Sequence, residues 1–250
     1  MKKIFIVANW KMNPISGIEA KSLFLKINKE IKKEEKVDVI ICPPFIYLQE
    51  ILKEKKYLKI GAQNCYFEEK GAFTGEISFL MLKNLGCEYI ILGHSERRHY
   101  FKETNRLVAK KIEKSLSSGI KIILCIGETA KEREEKKTAI VLKSQIEESL
   151  KNIYFSNFSA SNLMVAYEPI WSIGTGNSCA ENEAKKSLLI IKKNLKNIFS
   201  NDNIKILYGG SVNSENAKGY INSGFDGLLI GGASLKAKEF IKIVKFSKAK

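Results

Sequence analysis

One carboxylate in this chain of 250 residues stands where general-base chemistry would place it. Glu168 follows the apolar run Leu163 to Tyr167 and directly precedes Pro169. The run is short and apolar, as expected for a strand that is buried on both faces. A proline also restricts the residue before it to extended geometry. Glu168 is therefore expected at the end of a strand, where the chain leaves the sheet.

The segment after Glu168 has the composition of a loop that closes over a ligand. Ile170, Trp171 and Ile173 provide apolar anchors, and two glycines follow at 174 and 176. Between residues 163 and 176 there is no lysine or arginine that would pair with a structural carboxylate. These features indicate a general base beneath a lid. A solvated loop glutamate is the alternative that these residues alone leave open.

Further polar side chains follow the first and fourth apolar runs. Asn9 and Lys11 fall on one face because side chains alternate along an extended chain. Lys11 would then be a fixed cation, although a surface lysine is the plainer interpretation. His94 ends the fourth run, and Ser95 is a candidate N-cap for a helix that follows. Because a helix N-terminus disfavours the imidazolium, His94 is expected to be a neutral hydrogen-bond donor, with a core histidine as the alternative.

Two glycine-rich turns are candidates for binding phosphate. The first is Gly209-Gly210-Ser211, and the second is Gly231-Gly232-Ala233-Ser234. Small side chains let backbone amides approach an oxyanion, and the second turn leads into a short predicted helix, Ser234 to Ala237, whose N-terminus favours an anion. Either turn alone also fits a tight connection between a strand and a helix.

Together these groups suit one kind of reaction. A carboxylate removes a proton from a carbon next to a carbonyl, while the histidine and the lysine stabilise the enediolate oxygen. The lid excludes water, and return of the proton to the neighbouring carbon completes an aldose–ketose isomerisation. That chemistry requires no metal and no cofactor.

The spacing of the apolar runs predicts the elements that position these groups. Helical periodicity separates eight short runs, which predicts an α/β fold of eight parallel strands ringed by helices, a single (β/α)8 barrel over residues 1–250 without a linker. A doubly wound open sheet is the competitor, but the first run lacks its glycine-rich turn. The predicted strands are Ile4 to Ala8, Val37 to Cys42, Lys59 to Ala62, Tyr89 to Leu92, Lys121 to Ile126, Leu163 to Tyr167, Ile204 to Tyr208 and Gly227 to Ile230.

Composition argues against several other classes of protein. The net charge of +15 comes mostly from lysines spread along helical stretches, without the aromatic and basic interleaving of an RNA-binding surface. Five cysteines have no Cys-x-x-Cys spacing, and two histidines make a metal centre improbable on composition. No run approaches the roughly 20 apolar residues of a membrane span, and no targeting segment is recognised. We therefore expect a cytoplasmic protein that binds neither metal, nucleic acid nor membrane.

From end to end the chain resembles the triosephosphate isomerase family. The resemblance implies interconversion of dihydroxyacetone phosphate and glyceraldehyde 3-phosphate in glycolysis and gluconeogenesis, with no cofactor. The motifs that carry it are Asn9-Trp10-Lys11-Met12-Asn13, Ala62-Gln63-Asn64-Cys65, Gly71 to Ser78, Gly93-His94-Ser95-Glu96-Arg97-Arg98, Cys125-Ile126-Gly127-Glu128, Ala166-Tyr167-Glu168-Pro169, Tyr208 to Val212 and Gly231 to Leu235.

The resemblance also assigns roles to particular residues. It makes Glu168 the base and His94 the electrophile, with Asn9 and Lys11 contacting the substrate. Ser95 and Glu96 support the site, and Ile173 and Leu229 clamp the glutamate in an apolar pocket that raises its basicity. The backbone amides implied to hold the phosphate are those of Gly174, Ser211, Gly231 and Gly232.

A homodimer is implied by the resemblance alone. The loop from Cys65 to Ser78 would insert into the neighbouring subunit, so that Thr74 nears the partner's Asn9 and Lys11. Glu76 and Arg97 would pair across that interface.

Some positions depart from the family pattern. The far hinge of the lid reads Asn177-Ser178-Cys179, Phe79-Leu80 replaces a common proline and glycine, and Pro14 replaces a common glycine. The hinge residues bear on lid kinetics rather than on the type of reaction. Another phosphate-binding barrel, such as a sugar-phosphate epimerase or a ribosyl-amine isomerase, and a barrel that mainly binds acidic surfaces are the competing interpretations.

Overall fold

Runs of β-branched and aliphatic residues form the strands of the protein, which we describe from a computed structural model. It describes residues 3–31, 36–151, 153, 159–173, 178–199 and 204–247. In these ranges the strands are β1 Ile4–Asn9, β2 Val37–Cys42, β3 Lys59–Ala62, β4 Tyr89–Leu92, β5 Lys121–Ile126, β6 Leu163–Tyr167, β7 Lys205–Tyr208 and β8 Gly227–Ile230.

Helices alternate with these strands, and most follow a strand directly along the chain. Short 3-10 turns occur at Phe45–Tyr47, Ala160–Asn162, Ile170–Ser172 and Gly232–Leu235. The α-helices within the described ranges are α1 Gly17–Glu30, α2 Leu48–Glu54, α3 Phe79–Leu85, α4 Ser95–Tyr100, α5 Asn105–Ser117, α6 Ala130–Glu134, α7 Thr138–Ser149, α8 Glu181–Phe199, α9 Ala217–Asn222 and α10 Ala237–Ser247.

The eight strands close into a parallel barrel in sequence order. Closure is made by β1, in which Val7 pairs with Ile40 of β2 on one side and with Leu229 of β8 on the other. The predicted (β/α)8 barrel is thus confirmed, and the doubly wound open sheet is excluded. Two strand ends were wrong by one residue, because Asn9 still pairs with Cys42 and because β7 begins at Lys205.

Side-chain alternation divides the apolar residues of each strand between two layers. In β6, Met164 and Ala166 belong to the cluster inside the barrel, whereas Val165 and Tyr167 pack against the helices. This double burial explains why the strands are continuously apolar. The same alternation directs the next residue of that series, Glu168, toward the barrel axis at the carboxyl end of β6.

The helices present one apolar face to the barrel and a charged face to solvent. In α5, Val108, Ile112 and Leu116 are buried at the predicted helical spacing, and the Thr104 hydroxyl caps the helix by accepting the amide of Leu107. Along α8 the lysines lie on the exposed face. Among the described residues no helix has both the length and the apolar character needed to cross a membrane.

Burial of the cysteines has a consequence for stability in alkali. All five thiols are buried and free. Desolvation raises the pKa of Cys65 and Cys179 to about 11, and it raises the pKa of Cys42 further. A folded chain therefore keeps these protons at a pH where the unfolded chain, with thiol pKa values near 8.5, has released them.

We predict that the free energy of unfolding falls as the pH rises above about 9. Below the thiol pKa of the unfolded chain, the thiols do not change the free energy of unfolding with pH. Above that pKa, each thiol lowers the free energy of unfolding by about 1.4 kcal/mol per pH unit. Urea unfolding at a fixed protein concentration between about pH 8 and pH 11 measures the slope. Cys42→Ala should reduce it by about 1.4 kcal/mol per pH unit. Parallel curves for this variant and the wild type would contradict the assignment.

Candidate active site

A cavity of about 510 Å³ opens at the carboxyl ends of the strands. It brings together polar and glycine residues from Asn9 to Lys236, almost the whole length of the chain. Side-chain alternation accounts for this convergence. Every second side chain of a strand points into the barrel, and the inward side chains at the carboxyl ends of all the strands meet at one opening. The lining residues among those described are Asn9, Lys11, His94, Glu168, Ile173, Ser178, Gly209, Gly210, Ser211, Val212, Asn213, Asn216, Leu229, Gly231, Gly232, Ala233 and Lys236.

The main chain fixes the position of Glu168. Its amide donates to the carbonyl oxygen of Ile126 at 2.7 Å, which extends the pairing between β5 and β6 by one residue. Gly127 lies against it so closely that an added Cβ would be 1.7 Å from the Glu168 carbonyl oxygen. Only a glycine at 127 permits this approach, so the end of β5 determines where the carboxylate leaves the sheet.

The carboxylate of Glu168 is 2% exposed and has contacts on both oxygens. The backbone amide of Ser95 donates to Oε2 at 3.0 Å, and His94 Nε2 lies 3.2 Å from Oε1. Gly209 leaves space beside the side chain, since a Cβ there would be 3.0 Å from Glu168 Cγ. A buried carboxylate is thus held by a backbone donor and an imidazole.

His94 is held in one tautomer by the start of α4. Its Nδ1 accepts the backbone amide of Glu96 at 3.2 Å, so Nδ1 carries no proton. In a neutral imidazole the proton is then on Nε2, the nitrogen that faces Glu168. His94 is itself the N-cap of α4, and the prediction that Ser95 caps this helix was wrong because Ser95 is its first helical residue.

Lys11 has a left-handed backbone, with φ of 55°. Hydrogen bonds hold this turn: the Asn9 side chain accepts the Lys11 amide at 3.0 Å, and Gln63 Nε2 donates to the Lys11 carbonyl at 2.9 Å. The ammonium Nζ lies 2.5 Å from Glu96 Oε1. Sequence reasoning brought Asn9 and Lys11 to one face but did not find the role of Gln63, which is 52 residues away.

The loops after β7 and β8 form the opposite side of the cavity. Ser211 Oγ donates to the carbonyl of Ser172 at 2.5 Å, which ties the first loop to the segment after Glu168. Ser234 donates from both its amide and its hydroxyl to the Gly231 carbonyl, at 2.8 and 2.7 Å. The predicted short helix here begins two residues earlier, as the 3-10 turn Gly232–Leu235. An added Cβ at Gly232 would meet no atom within 4 Å, so its backbone is open to a ligand.

The segment after Glu168, where the sequence predicts a lid, is held by a buried glutamate to which sequence reasoning gave no role. Glu128 is 0% exposed and accepts hydrogen bonds from Trp171 Nε1 at 3.0 Å and from the Tyr167 hydroxyl at 3.0 Å. The Arg133 guanidinium lies over the Trp171 ring at 4.1 Å. The signal that could have found Glu128 is its position directly after β5, on the same face of the barrel as the other polar residues.

Neighbouring groups stay protonated around the carboxylate. Burial raises the pKa of the Cys125 thiol well above its usual value, and the charge of Glu168 raises it further. Burial also raises the pKa of Tyr208, whose hydroxyl lies next to Gly210. The thiol beside Glu168 is therefore neutral, and the charge that acts on the carboxylate from this side is the Arg98 guanidinium, which donates to the Cys125 carbonyl at 3.3 Å.

Most of the predicted site residues lie in the cavity or contact a residue that lines it. Ile173 and Leu229 line the cavity, and Ser95 and Glu96 contact it through Glu168, His94 and Lys11. Two predicted positions, Gly174 and Asn177, lie outside the described residues. The residues predicted at a subunit interface do not line the cavity; Thr74 and Glu76 are exposed in the loop between β3 and α3, and Arg97 is on α4.

Comparison with known proteins gives a consistent result. The family model for triosephosphate isomerase matches residues 4–247. The chain belongs to the triosephosphate isomerase family. Proteins of that name that resemble it include one from Alkaliphilus oremlandii, 44% identical over 98% of this chain and 100% of its own length, and one from Lawsonia intracellularis, 45% identical over 97% of both chains. A fungal relative of the same name, from Coprinopsis cinerea, is 42% identical over 99% of both chains.

The family match includes every strand of the barrel and every described residue of the cavity. The recognition made from the motifs is therefore confirmed at the level of family. The extent of the match also covers the loops at the carboxyl ends of the strands, where members of a barrel family differ when their substrates differ.

Proposed function

We propose that this member of the triosephosphate isomerase family interconverts dihydroxyacetone phosphate and D-glyceraldehyde 3-phosphate, in glycolysis and gluconeogenesis. The observation that carries the proposal is the convergence of Glu168, His94 and Lys11 on one cavity whose opposite side is glycine-rich. A carboxylate, a neutral hydrogen-bond donor and a cation together are suited to proton transfer at a carbon next to a carbonyl. The glycine loops are suited to binding a phosphate.

The phosphate group is placed against the loops after β7 and β8. In this scheme the backbone amides of Ser211, Gly231 and Gly232 donate to its oxygens, with Gly174 of the lid as a fourth donor. An added Cβ at Gly232 would meet no atom within 4 Å, and the hydrogen bonds of Ser234 to Gly231 support the second loop. The Ser211 amide donates to Ser172 Oγ at 3.4 Å, a long contact that the phosphate would replace. Binding at the non-reacting end fixes the carbon skeleton between Glu168 and His94.

The proton transfer then uses groups already in place. Glu168 leaves the Ser95 amide and removes a proton from the carbon next to the carbonyl, while the C–H electron pair forms the carbon–carbon double bond of the enediolate. His94 donates its Nε2–H to the oxygen that becomes negative, and Lys11 stabilises the same charge. Asn9 helps to orient the substrate. His94 then takes the proton of the neighbouring hydroxyl, which becomes the new carbonyl, and Glu168 returns its proton to the former carbonyl carbon, so that the isomer forms and both residues are restored.

The contact between His94 and Glu168 supports this sequence of events. His94 Nε2 faces Glu168 Oε1. A substrate that enters between them would take the place of this contact and meet both side chains at once. Apolar Ile173 and Leu229 border the same space, and closure of the lid over them would exclude water from the cavity in which the carboxylate acts. Water exclusion strengthens the hydrogen bonds to the developing charge and protects the enediolate.

We predict that Glu168→Gln lowers kcat by about two to four orders of magnitude, the range in which general-base catalysis contributes. The amide can still accept the Ser95 N–H, so the fold should persist. A coupled assay with D-glyceraldehyde 3-phosphate measures turnover, and circular dichroism with urea unfolding checks the fold. Glu215→Gln, an exposed glutamate in the loop after β7, is the matched control and should retain full activity. A folded Glu168→Gln enzyme with normal turnover would refute the proposed base.

We also propose that the protein is a homodimer joined through the loops that follow β1 to β4. Those loops lie side by side, because the strands are neighbours in the barrel. They carry large apolar side chains that the single chain leaves exposed, and an apolar patch of this kind indicates a protein contact. The exposed residues there include Met12, Ile15, Ile46, Phe73, Met81, Tyr100 and Phe101.

The charged groups of this surface fit the same proposal. Arg97 Nε has no hydrogen-bond partner in the described residues, although it lies 3.5 Å from Glu103. Glu76 is exposed and would pair with Arg97 across the interface, as the family resemblance implies. Thr74, at the tip of the loop, would approach the partner's Lys11 and so complete the site.

We predict that Thr74→Arg shifts the protein from dimer to monomer and reduces turnover, since it places a bulky cation against the partner's Lys11. Sedimentation velocity measures the mass and the coupled assay measures the activity. Leu189→Arg adds the same side chain to an exposed apolar position on α8, 57% exposed and outside the proposed interface, and should leave both unchanged. A wild-type chain that sediments as a monomer at assay concentrations would overturn the proposed dimer.

A further inference from the structure

The cavity contains two lysines, and their electrostatic surroundings differ. Lys11 lies 2.5 Å from the Glu96 carboxylate, so part of its charge is already balanced. Lys236 lines the same cavity and makes no ion pair with an acidic side chain anywhere in the described ranges. Among the described residues that line the cavity, Lys236 is therefore the cation whose charge is not balanced within the chain.

The backbone holds Lys236 at the phosphate side of the cavity. It directly follows the 3-10 turn Gly232–Leu235, and its amide donates to the Ala233 carbonyl at 3.3 Å. Ser234 ties the same turn to Gly231 through two hydrogen bonds. The main chain of Lys236 is thus fixed relative to the glycines that border the cavity, while its exposed side chain is free to reorient.

A phosphate monoester brings more charge than the described groups balance. It carries about −1.5 to −2 charges near pH 7, and backbone amides offer only partial positive charges. The cavity also contains the Glu168 carboxylate, which repels an anion. A second full positive charge on the phosphate side would offset that repulsion.

We propose that Lys236 is a phosphate-binding residue of this cavity and brings a second full positive charge to the substrate's phosphate, in addition to Lys11, whose Nζ lies 3.7 Å from the position of a Cβ added at Gly231. The inference rests on the proposed function. Because Lys236 meets a part of the substrate that does not react, it contributes to binding in the ground state and the transition state alike.

The expected effect is moderate, because Lys236 is exposed. Exposed pairs of opposite charge contribute about 0.2–1 kcal/mol, which corresponds to a change in affinity of about 1.4-fold to fivefold. Salt screens such pairs, with a Debye length of about 10 Å at 0.1 M ionic strength. A role in phosphate neutralisation therefore predicts a dependence on ionic strength, which loss of packing would not produce.

The test compares Lys236→Gln, Lys236→Arg and the control Lys238→Gln. Lys238 is an exposed lysine two residues further along, on α10, and it does not line the cavity. We expect Lys236→Gln to raise the KM for D-glyceraldehyde 3-phosphate and the inhibition constant of inorganic phosphate by about two- to fivefold at low salt, with kcat nearly unchanged. The difference should disappear at about 1 M salt, and the arginine variant should restore both constants.

Two outcomes would overturn the proposal. One is that Lys236→Gln matches the wild type in KM and in phosphate inhibition at low salt. The other is that Lys238→Gln weakens both as much as Lys236→Gln does, which would assign the effect to the general positive field of the chain.

The role of Lys236 can be tested even if the proposed reaction is wrong. If the wild type did not turn over triose phosphates, titration of inorganic phosphate by calorimetry would still compare the same variants. Equal phosphate affinity in Lys236→Gln and the wild type would then refute a phosphate-binding role for Lys236. Weaker affinity in Lys236→Gln alone would support it, even though the proposed reaction had failed.

Discussion

The first two backbone amides of α4 position both groups of the proposed proton transfer. The amide of Ser95 donates to the Glu168 carboxylate, and the amide of Glu96 donates to His94 Nδ1. One helix end therefore orients the base and selects the tautomer of the electrophile. The barrel brings α4 and β6 to this contact although they are 73 residues apart in sequence. The proposed reaction depends on this pair of hydrogen bonds, because an imidazole with Nδ1 protonated would present no donor to the substrate.

The parts of this arrangement that follow local rules could be predicted from the sequence. Short apolar runs placed the strands within one residue, alternation placed Asn9 and Lys11 on one face, and Pro169 indicated that Glu168 lies at the end of a strand. Contacts between distant segments could not be predicted in this way. Nothing local to Glu128 indicates that it accepts hydrogen bonds from Trp171 and Tyr167, since that contact needs the closed barrel to bring β5 next to β6.

The error at Ser95 has a local physical cause. Serine is a preferred N-cap, so a serine beside the start of a helix favours that assignment. Here the His94 imidazole occupies the capping position through Nδ1, and Ser95 uses its backbone amide for Glu168 instead. The site overrides the local preference. The proposed dimer interface could not be located from local sequence either, because exposed apolar loops become informative only when the fold shows that they are neighbours.

The residues that flank the predicted lid make several contacts with the barrel. Trp171 donates to the buried Glu128 and lies under Arg133, and Ser172 accepts the hydroxyl of Ser211. On the far side, the Tyr220 hydroxyl donates to the Cys179 carbonyl at 2.6 Å. The described residues on both sides of the segment are thus anchored to the barrel.

The most direct measurement of the central claim is 15N NMR of the imidazole nitrogens. With two histidines in the chain, His94 and the exposed His99, the spectrum is simple and contains its own reference. At pH 8 we expect His94 to show an unprotonated Nδ1 and a protonated Nε2, while His99 shows averaged tautomers. A proton on Nδ1 of His94, or an imidazolium, would contradict the proposed electrophile and the role of α4 in selecting it.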